Sequence, residues 1–384
     1  MKENNNFCRS CILPNGFLGI TLDSKGKCNY CNNGNYKSIN WSKVQVTDKM
    51  RESALKDWHK TINSIKKTKK KGIYDFILGY SGGKDSTALL DMLINEYKLK
   101  VLPITINTGQ MSEIAKKNIN NTLKTLEYSD HHIFIEDAIP VFTKLYRYLF
   151  LNHRSNNKIL TGKICDYCSD LIHSILTKEA IKRDISLIIL GYSPDQIKRY
   201  FYEIPREEIT NEWFPQFILD KPFTDIDRQF FLDPKGLNGK KIPRILLAYH
   251  VLPYNEQKII KHVNSKNLIE KGKANPILTN CHVVKAALIY DFYRYGGLSY
   301  ALQYAELVRQ EPDETKRKRS RKKWLRLCRK VGNLIINGNF ASDEVEEFLN
   351  TINISEVDFF NYIKSQLDVD PNKETILDNI NLFR

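Results

Sequence analysis

The sequence predicts an α/β fold, a parallel sheet with helices on both faces, preceded by a small cysteine-rich module and followed by a mainly helical region. Three observations predict it. Short apolar runs alternate with amphipathic segments between residues 73 and 200. A Gly-Gly turn joins the first such run to the first amphipathic segment. Four cysteines in two Cys-x-x-Cys pairs crowd the first 35 residues, where periodic hydrophobicity is scarce.

Taken in order, residues 1–35 form the four-cysteine module and 36–72 a helical linker, with Trp41, Met50, Leu55, Trp58 and Ile62 at helical spacing. The run Ile73 to Tyr80 reads as a strand, Thr87–Lys98 as a helix, Val101–Ile106 as a second strand and Ser112–Leu126 as a second helix. His132–Ile135 is a third strand, Ser169–Arg183 a helix and Ser186–Gly191 a fourth core strand. Ligands of such sheets sit at the carboxyl ends of the strands, so Tyr80, Asn107 and Gly191 should converge. The α/β rhythm fades after residue 200: residues 200–275 are Pro- and aromatic-rich, and 281–384 read as helices. The expected division is therefore 1–35, 36–72, a nucleotide-binding 73–200, and an acceptor-binding, mainly helical 201–384.

With 384 residues, 42% of them apolar, a sizeable core is available, and no apolar run approaches the roughly 20 residues that span a bilayer. Met1 to Phe7 is polar and Asn-rich, unlike a secretory signal. The expectation is a cytoplasmic protein without a membrane partner. A net charge of +15 favours anionic partners. Of its densest runs, Lys66–Lys71 could be a solvated helix face, and Lys316–Lys323 beside Trp324 is either a solvated helix or a grip for RNA phosphates.

The segment Ser81-Gly82-Gly83-Lys84-Asp85-Ser86 lies between strand and helix. Two glycines let backbone N–H groups approach an anion, and the helix behind adds partial positive charge. Ser81 and Ser86 supply hydroxyls, Lys84 neutralises phosphate, and Asp85 can cap the helix or help hold Mg²⁺. The spacing is not that of a P-loop nucleoside triphosphatase. It resembles the Ser-Gly-Gly-x-Asp-Ser signature of the PP-loop ATP pyrophosphatases. That resemblance implies binding of ATP through its β,γ-pyrophosphate, adenylation of an acceptor oxygen, and displacement of AMP by nitrogen or sulfur. It also implies that Thr105 and Asn107, within 105–108, adjoin the adenine and that Gly191 closes the later strand. Where that family has His and paired Asp after this strand, this chain has only Asp195, in Gly191-Tyr192-Ser193-Pro194-Asp195-Gln196.

Cys8 and Cys11 form one knuckle and Cys28 and Cys31 a second, 16 residues on. This is the spacing of a closed, structural Zn²⁺ site with four thiolates. The residues around them, Cys8 to Pro14, Ile20 to Asp23 and Gly26 to Cys31, resemble the start of the N-acetyl sugar amidotransferases. Those PP-loop enzymes convert an acetamido to an acetamidino group with ammonia from a partner glutaminase, in nonulosonic acid and surface-sugar biosynthesis.

Cys165 and Cys168 form a third Cys-x-x-Cys, placed just before the helix expected at 169, and Cys281 follows far downstream. At a helix N-terminus such thiols are acidic and nucleophilic. Three uses stay open: a persulfide carrier, three ligands of a 4Fe-4S cluster, or a second zinc completed by His173 or His282. The layout resembles the tRNA 2-thiolation enzymes. Lys163 is either an aid to thiolate formation or a surface lysine, His131 and His132 are expected to be structural, His153 and Arg154 could meet a substrate, and Cys328 is expected to be a packed thiol.

The favoured expectation is an ATP-dependent sulfurtransferase in which Cys165, Cys168 and Cys281 deliver sulfur from a cysteine desulfurase or carrier to a tRNA base or small molecule. Amidotransfer to a sugar is the alternative, and a non-catalytic nucleotide- and zinc-binding protein the third reading. The reading leaves room for a homodimer.

Overall fold

A computed structural model describes residues 6–32, 46–67, 73–153, 159–194, 200–237, 239–274 and 281–384. Its residues group into two compact units. The sheet unit takes residues 41–145 and 166–281; the helical unit takes 1–40, 146–165 and 282–384.

The sheet unit has five parallel strands, β1 (Phe76–Gly79), β2 (Val101–Ile106), β3 (Ile133–Ile135), β4 (Leu187–Leu190) and β5 (Arg244–Leu247), in the order β3-β2-β1-β4-β5. The chain winds one way from β1 through β3 and the other way from β4 to β5, so the crevice beside β1 lies at the strand-order reversal, where such sheets bind ligands. Gly79 pairs with Ile104 on one side and Leu190 on the other, which brings the carboxyl ends of three strands together.

The cysteine module ends in a single helical turn, α1 (Asn29–Asn32). Alternation along the strands then explains the layers of the sheet unit. Phe76, Leu78, Val101, Leu187, Ile189 and Leu246 share one buried cluster with Trp58 and Ile62 of α2 (Asp48–Lys67), Leu89 and Leu93 beyond the phosphate loop, and Ile259 and Val263 further on. The helix expected as a linker is thus a layer of the sheet unit: Trp58 is fully buried. The helix expected at 87–98 instead starts at Lys84, as α3 (Lys84–Asp91), and continues as a π-helical turn over Met92–Glu96.

β5 lies in the stretch expected to be irregular, after the short helices α7 (Arg206–Asn211) and α8 (Asp225–Arg228). Arg244 opens it and donates to Glu203 at 2.9 and 2.6 Å and to Asp57 of α2 at 2.8 Å. On its outer edge Ile204 donates its N–H to Ile245 and Leu247 to Tyr202, which pairs groups that an edge strand would expose.

The helical unit centres on α10 (His282–Tyr295), buried on nearly every face, as expected of a helix with no polar stripe. Around it stand α11 (Tyr300–Gln310), α12 (Glu314–Ile336), α13 (Ser342–Thr351), α14 (Glu356–Asp368) and α15 (Lys373–Asn381). The cysteine module belongs to this unit. Phe7 meets Phe383 edge-to-face at 5.7 Å, Phe17 lies against Gly297, and Asn379 donates to the carbonyl of Asn15 at 2.6 Å. The chain enters the unit along α5 (Ile139–Asn152) and leaves along α6 (Leu160–Lys182).

Among the described residues, no helix is long and apolar enough to cross a membrane.

Candidate functional site

The phosphate loop is built by close approach. Gly82 has φ +71°, and a Cβ there would sit 2.5 Å from the carbonyl oxygen of Ala115 on α4 (Glu113–Thr125). Asn118 of the same helix donates to the carbonyl of Gly82 at 3.3 Å. A Cβ at Gly191, just past β4, would lie 2.9 Å from Cα of Ser86. Gly82 is therefore dictated by the packing of its loop onto α4, and Gly191 by packing onto the first turn of α3.

That first turn is Lys84-Asp85-Ser86, and Gly83 caps it with extended backbone and no side-chain acceptor. Its leading N–H groups have no acceptor inside the helix, the arrangement that receives an anion. Ser81 and Ser86 hydroxyls stand 3.1 Å apart, and Ser86 Oγ donates to the carbonyl of Gly83 at 3.2 Å. Asp85 does not cap the helix. Its Oδ2 accepts from Lys84 Nζ at 2.6 Å, while its buried Oδ1 has no hydrogen-bond partner. Burial raises the Asp85 carboxyl above its usual range, against the pull of Lys84. An orphaned carboxylate oxygen beside a phosphate cradle fits a divalent cation such as Mg²⁺.

Sequence reasoning missed the segment after β5. Tyr249 donates to the carbonyl of Asp85 at 3.2 Å, and Lys84 Nζ lies 3.4 Å from both Tyr254 OH and Glu256 Oε1, where Glu256 opens α9 (Glu256–Ser265). The apolar run Ile245-Leu246-Leu247-Ala248 after Pro243 was the available signal.

Thr105 and Asn107 serve as supports. Thr105, 1% exposed, donates to the carbonyl of Tyr80 at 2.6 Å and lies 2.8 Å from His132 Nε2. Burial lowers the His132 pKa to about 4, so the ring is neutral, as a structural histidine should be. Asn107 donates to Glu136 at 2.9 Å and accepts from the N–H of Gly109 at 2.9 Å, which fixes the turn after β2. Asp195 and Arg154 lie outside the described residues.

In the helical unit Cys8, Cys11, Cys28 and Cys31 are all buried, and their sulfurs lie within 4.8 Å of one another. Among the described residues this is the one set of three or more His, Cys, Asp or Glu groups so gathered. Cys8 Sγ accepts from the N–H of Cys11 at 3.4 Å and of Cys28 at 3.2 Å. Hydrogen bonds from Cys11 and the other two thiols hold the Cys8 thiol far below its usual range. Four converging sulfurs with amide donors to one of them fit a closed tetrahedral metal site of the zinc type. Arg321 of α12 donates to the carbonyls of Cys8 and Cys11 at 2.7–3.1 Å, so the knuckle backbone is held from outside.

The second cysteine set corrects the expected helix boundary. α6 begins at Leu160, nine residues before the expected start, and Cys165 and Cys168 sit inside it, one turn apart. The cause lies far away in sequence. Asp291 of α10 accepts from the N–H groups of Leu160 and Thr161 at 2.8 and 3.1 Å and from the Thr161 hydroxyl at 2.5 Å, capping α6 from another helix. Cys165 therefore lies in the second turn of α6 and not at the helix N-terminus that the sequence suggested. Cys165 is exposed, and Cys168 and Cys281 are half-buried. His173 is fully buried with Nε2 3.1 Å from Tyr192 OH. His153 is buried, 3.1 Å from Tyr295 OH. Cys328 is a packed thiol, pushed up to about 12 by burial.

No protein-family model matches the chain. It is 36% identical over 89 residues to the argininosuccinate synthase of Campylobacter lari, covering 23% of this chain and 20% of that protein. With the argininosuccinate synthase of Campylobacter fetus the identity is 37% over 78 residues, 20% of this chain and 18% of that one. The chain thus spans about a fifth of the length of the curated relatives it matches. A U34-tRNA thiolase from Methanococcus maripaludis, solved with its 4Fe-4S cluster, superposes loosely, with a TM-score of 0.34 at 16% identity over 84% of this chain and 88% of that one. With the strand–loop–helix cradle of Ser81–Ser86 set into a five-stranded parallel sheet, the sheet unit has the α/β fold of the PP-loop ATP pyrophosphatases, and a stretch of the chain is similar to these synthases.

Proposed function

We propose that this protein uses ATP to adenylate a carbonyl oxygen of an acceptor, releasing pyrophosphate, and then replaces that oxygen with sulfur, releasing AMP. The observation that carries the first half is the uncapped first turn of α3 with the orphaned Asp85 Oδ1 beside it. The N–H groups of that turn would take the β,γ-phosphates, Lys84 would balance their charge, and Asp85 would hold Mg²⁺, with Asp195 as a second carboxylate.

The second half is supported by Cys165 and Cys168, one turn apart on α6, with Cys165 open to a donor protein. In the persulfide form, the terminal sulfur on Cys165 attacks the adenylated carbon, and AMP leaves with the acceptor oxygen. The Cys168 thiolate then attacks Cys165 Sγ, freeing the thiocarbonyl, and an external thiol reduces the resulting disulfide. With Cys281, the same pair could instead hold a 4Fe-4S cluster that carries the sulfide. Sulfur would come from a cysteine desulfurase or carrier.

Amidotransfer to an N-acetyl sugar is the second reading, favoured by the residues of the knuckle module. Anaerobic purification with iron and sulfide analysis, followed by AMP and pyrophosphate assays on Cys165→Ser/Cys168→Ser, separates the two. Sulfur transfer requires that the double variant lose product formation. An iron-free protein whose double variant turns over fully with glutamine or ammonia would establish the sugar reading instead.

A further inference from the structure

We infer that the exposed face of α12 is a docking surface for the phosphate backbone of RNA. Its 23 residues carry ten Lys and Arg against one acidic residue, Glu314, in a chain whose whole net charge is +15. Lys318, Lys322 and Arg326 are exposed and recur every four residues, which makes one stripe with about 6 Å between successive groups. Lys316, Arg319, Lys323 and Lys330 are exposed beside it. The carboxylate paired along the helix is Glu314, 2.8 Å from Lys318, with both groups more than two-thirds exposed.

The face is held rigid from beneath. Arg321 turns away from solvent to grip the carbonyls of Cys8 and Cys11, and Arg329 lies over the Phe7 ring at 5.3 Å. The knuckle so gripped carries further exposed cations, Arg9 and Lys25. Among the described residues, none of the large exposed hydrophobics lies on α12, and its half-buried Trp324 is stacked on Tyr304 at 4.2 Å, so the helix offers little to insert into a bilayer. A rigid row of cations, with Lys323 over the Trp324 ring at 4.4 Å, suits a phosphodiester backbone, where affinity comes from counterion release. The choice of RNA over DNA rests on the sulfur-transfer reading, whose acceptor it would supply.

Fluorescence anisotropy with mixed tRNA, without ATP, tests this. Lys318→Glu/Lys322→Glu/Arg326→Glu is expected to weaken binding at least about tenfold and to lower the slope of log affinity against log salt by about 0.9 for each phosphate no longer neutralised. The milder Lys318→Gln/Lys322→Gln/Arg326→Gln should lie between it and the wild type. Lys60→Glu/Lys117→Glu/Lys124→Glu makes the same change in net charge on the sheet unit and should bind tRNA as the wild type does. Equal losses in the two reversal variants, unchanged binding in the α12 variant, or equal affinity for duplex DNA or phosphatidylserine vesicles would overturn the proposal. Cys165→Ser/Cys168→Ser should bind tRNA normally, so a failure of sulfur transfer is distinguishable from a failure of docking.

Discussion

Gly191 shows how a single missing side chain shapes the phosphate site. An alanine there would put its Cβ 2.9 Å from Cα of Ser86, and backbone yields less readily than the end of a side chain. Gly191→Ala is therefore expected to displace the first turn of α3, weaken a non-hydrolysable ATP analogue about 10- to 100-fold by calorimetry, and lower stability by about 1–3 kcal/mol. Asp85 gives a second residue-level prediction. Asp85→Asn leaves the fold intact but removes the carboxylate whose Oδ1 is unpartnered. The Mg²⁺ dependence of nucleotide binding should weaken, while metal-free binding is kept; an unchanged Mg²⁺ titration would exclude Asp85 as a ligand. The local structure of Ser81 to Ser86 was legible because short-range rules fix it: strand, glycine turn, helix. Tyr249, Tyr254 and Glu256 were not, because their approach to Asp85 and Lys84 depends on where β5 sits in the sheet.

At the scale of elements, α6 shows where local signals end. Its start lacks a Ser, Thr, Asp or Asn cap in sequence, and Asp291 supplies one from α10. Asp291→Ala should cost about 2–3 kcal/mol in chemical denaturation by leaving buried N–H groups without an acceptor. Amide exchange at residues 160–163 should rise more than at residues 170–180; uniform protection would show that the cap does not set the helix start. β5 was illegible for a related reason. Its four residues are too few for periodicity to separate strand from buried helix, and the Arg244 bonds to Asp57 and Glu203 that anchor it join residues far apart in sequence. The longer α2 was legible as a helix, yet only the burial of Ala54, Trp58 and Ile62 in the sheet core reveals it as a layer.

For the whole molecule, acid is expected to act on the helical unit through His153. Burial lowers its pKa to about 3, so the folded chain binds fewer protons than the unfolded one between pH 6.5 and 3. Stability attributable to this ring is lost as pH falls through that window, by up to about 4 kcal/mol. Asp291, raised to about 6 by burial, works in the opposite direction and regains stability as pH falls from 6 to about 4. Relative to the wild type, His153→Gln should therefore gain stability steadily as pH falls from 6.5, read by urea midpoints; parallel profiles would remove His153 as the cause. Metal content gives the other global test. We expect one zinc per chain, lost in Cys28→Ser, and chelation should lower the melting of the helical unit. Overall class, parallel strands and helical C-terminal region were legible from sequence. That residues 6–32 pack with residues 282–384 was not, since nothing local records that Phe7 meets Phe383.

The grouping of the cysteine module with residues 282–384 in one unit also orders events in time. Cys8 to Cys31 leave the ribosome early, but Arg321, which grips the knuckle carbonyls, follows roughly 290 residues later. At about 5–20 residues per second, the nascent cysteines wait some 15 seconds to a minute for the helices that bury them. If the four thiols hold a metal, they would have to bind it during synthesis or stay open to oxidation, so metal supply during translation, rather than the stability of the finished fold, is expected to limit the yield of intact protein.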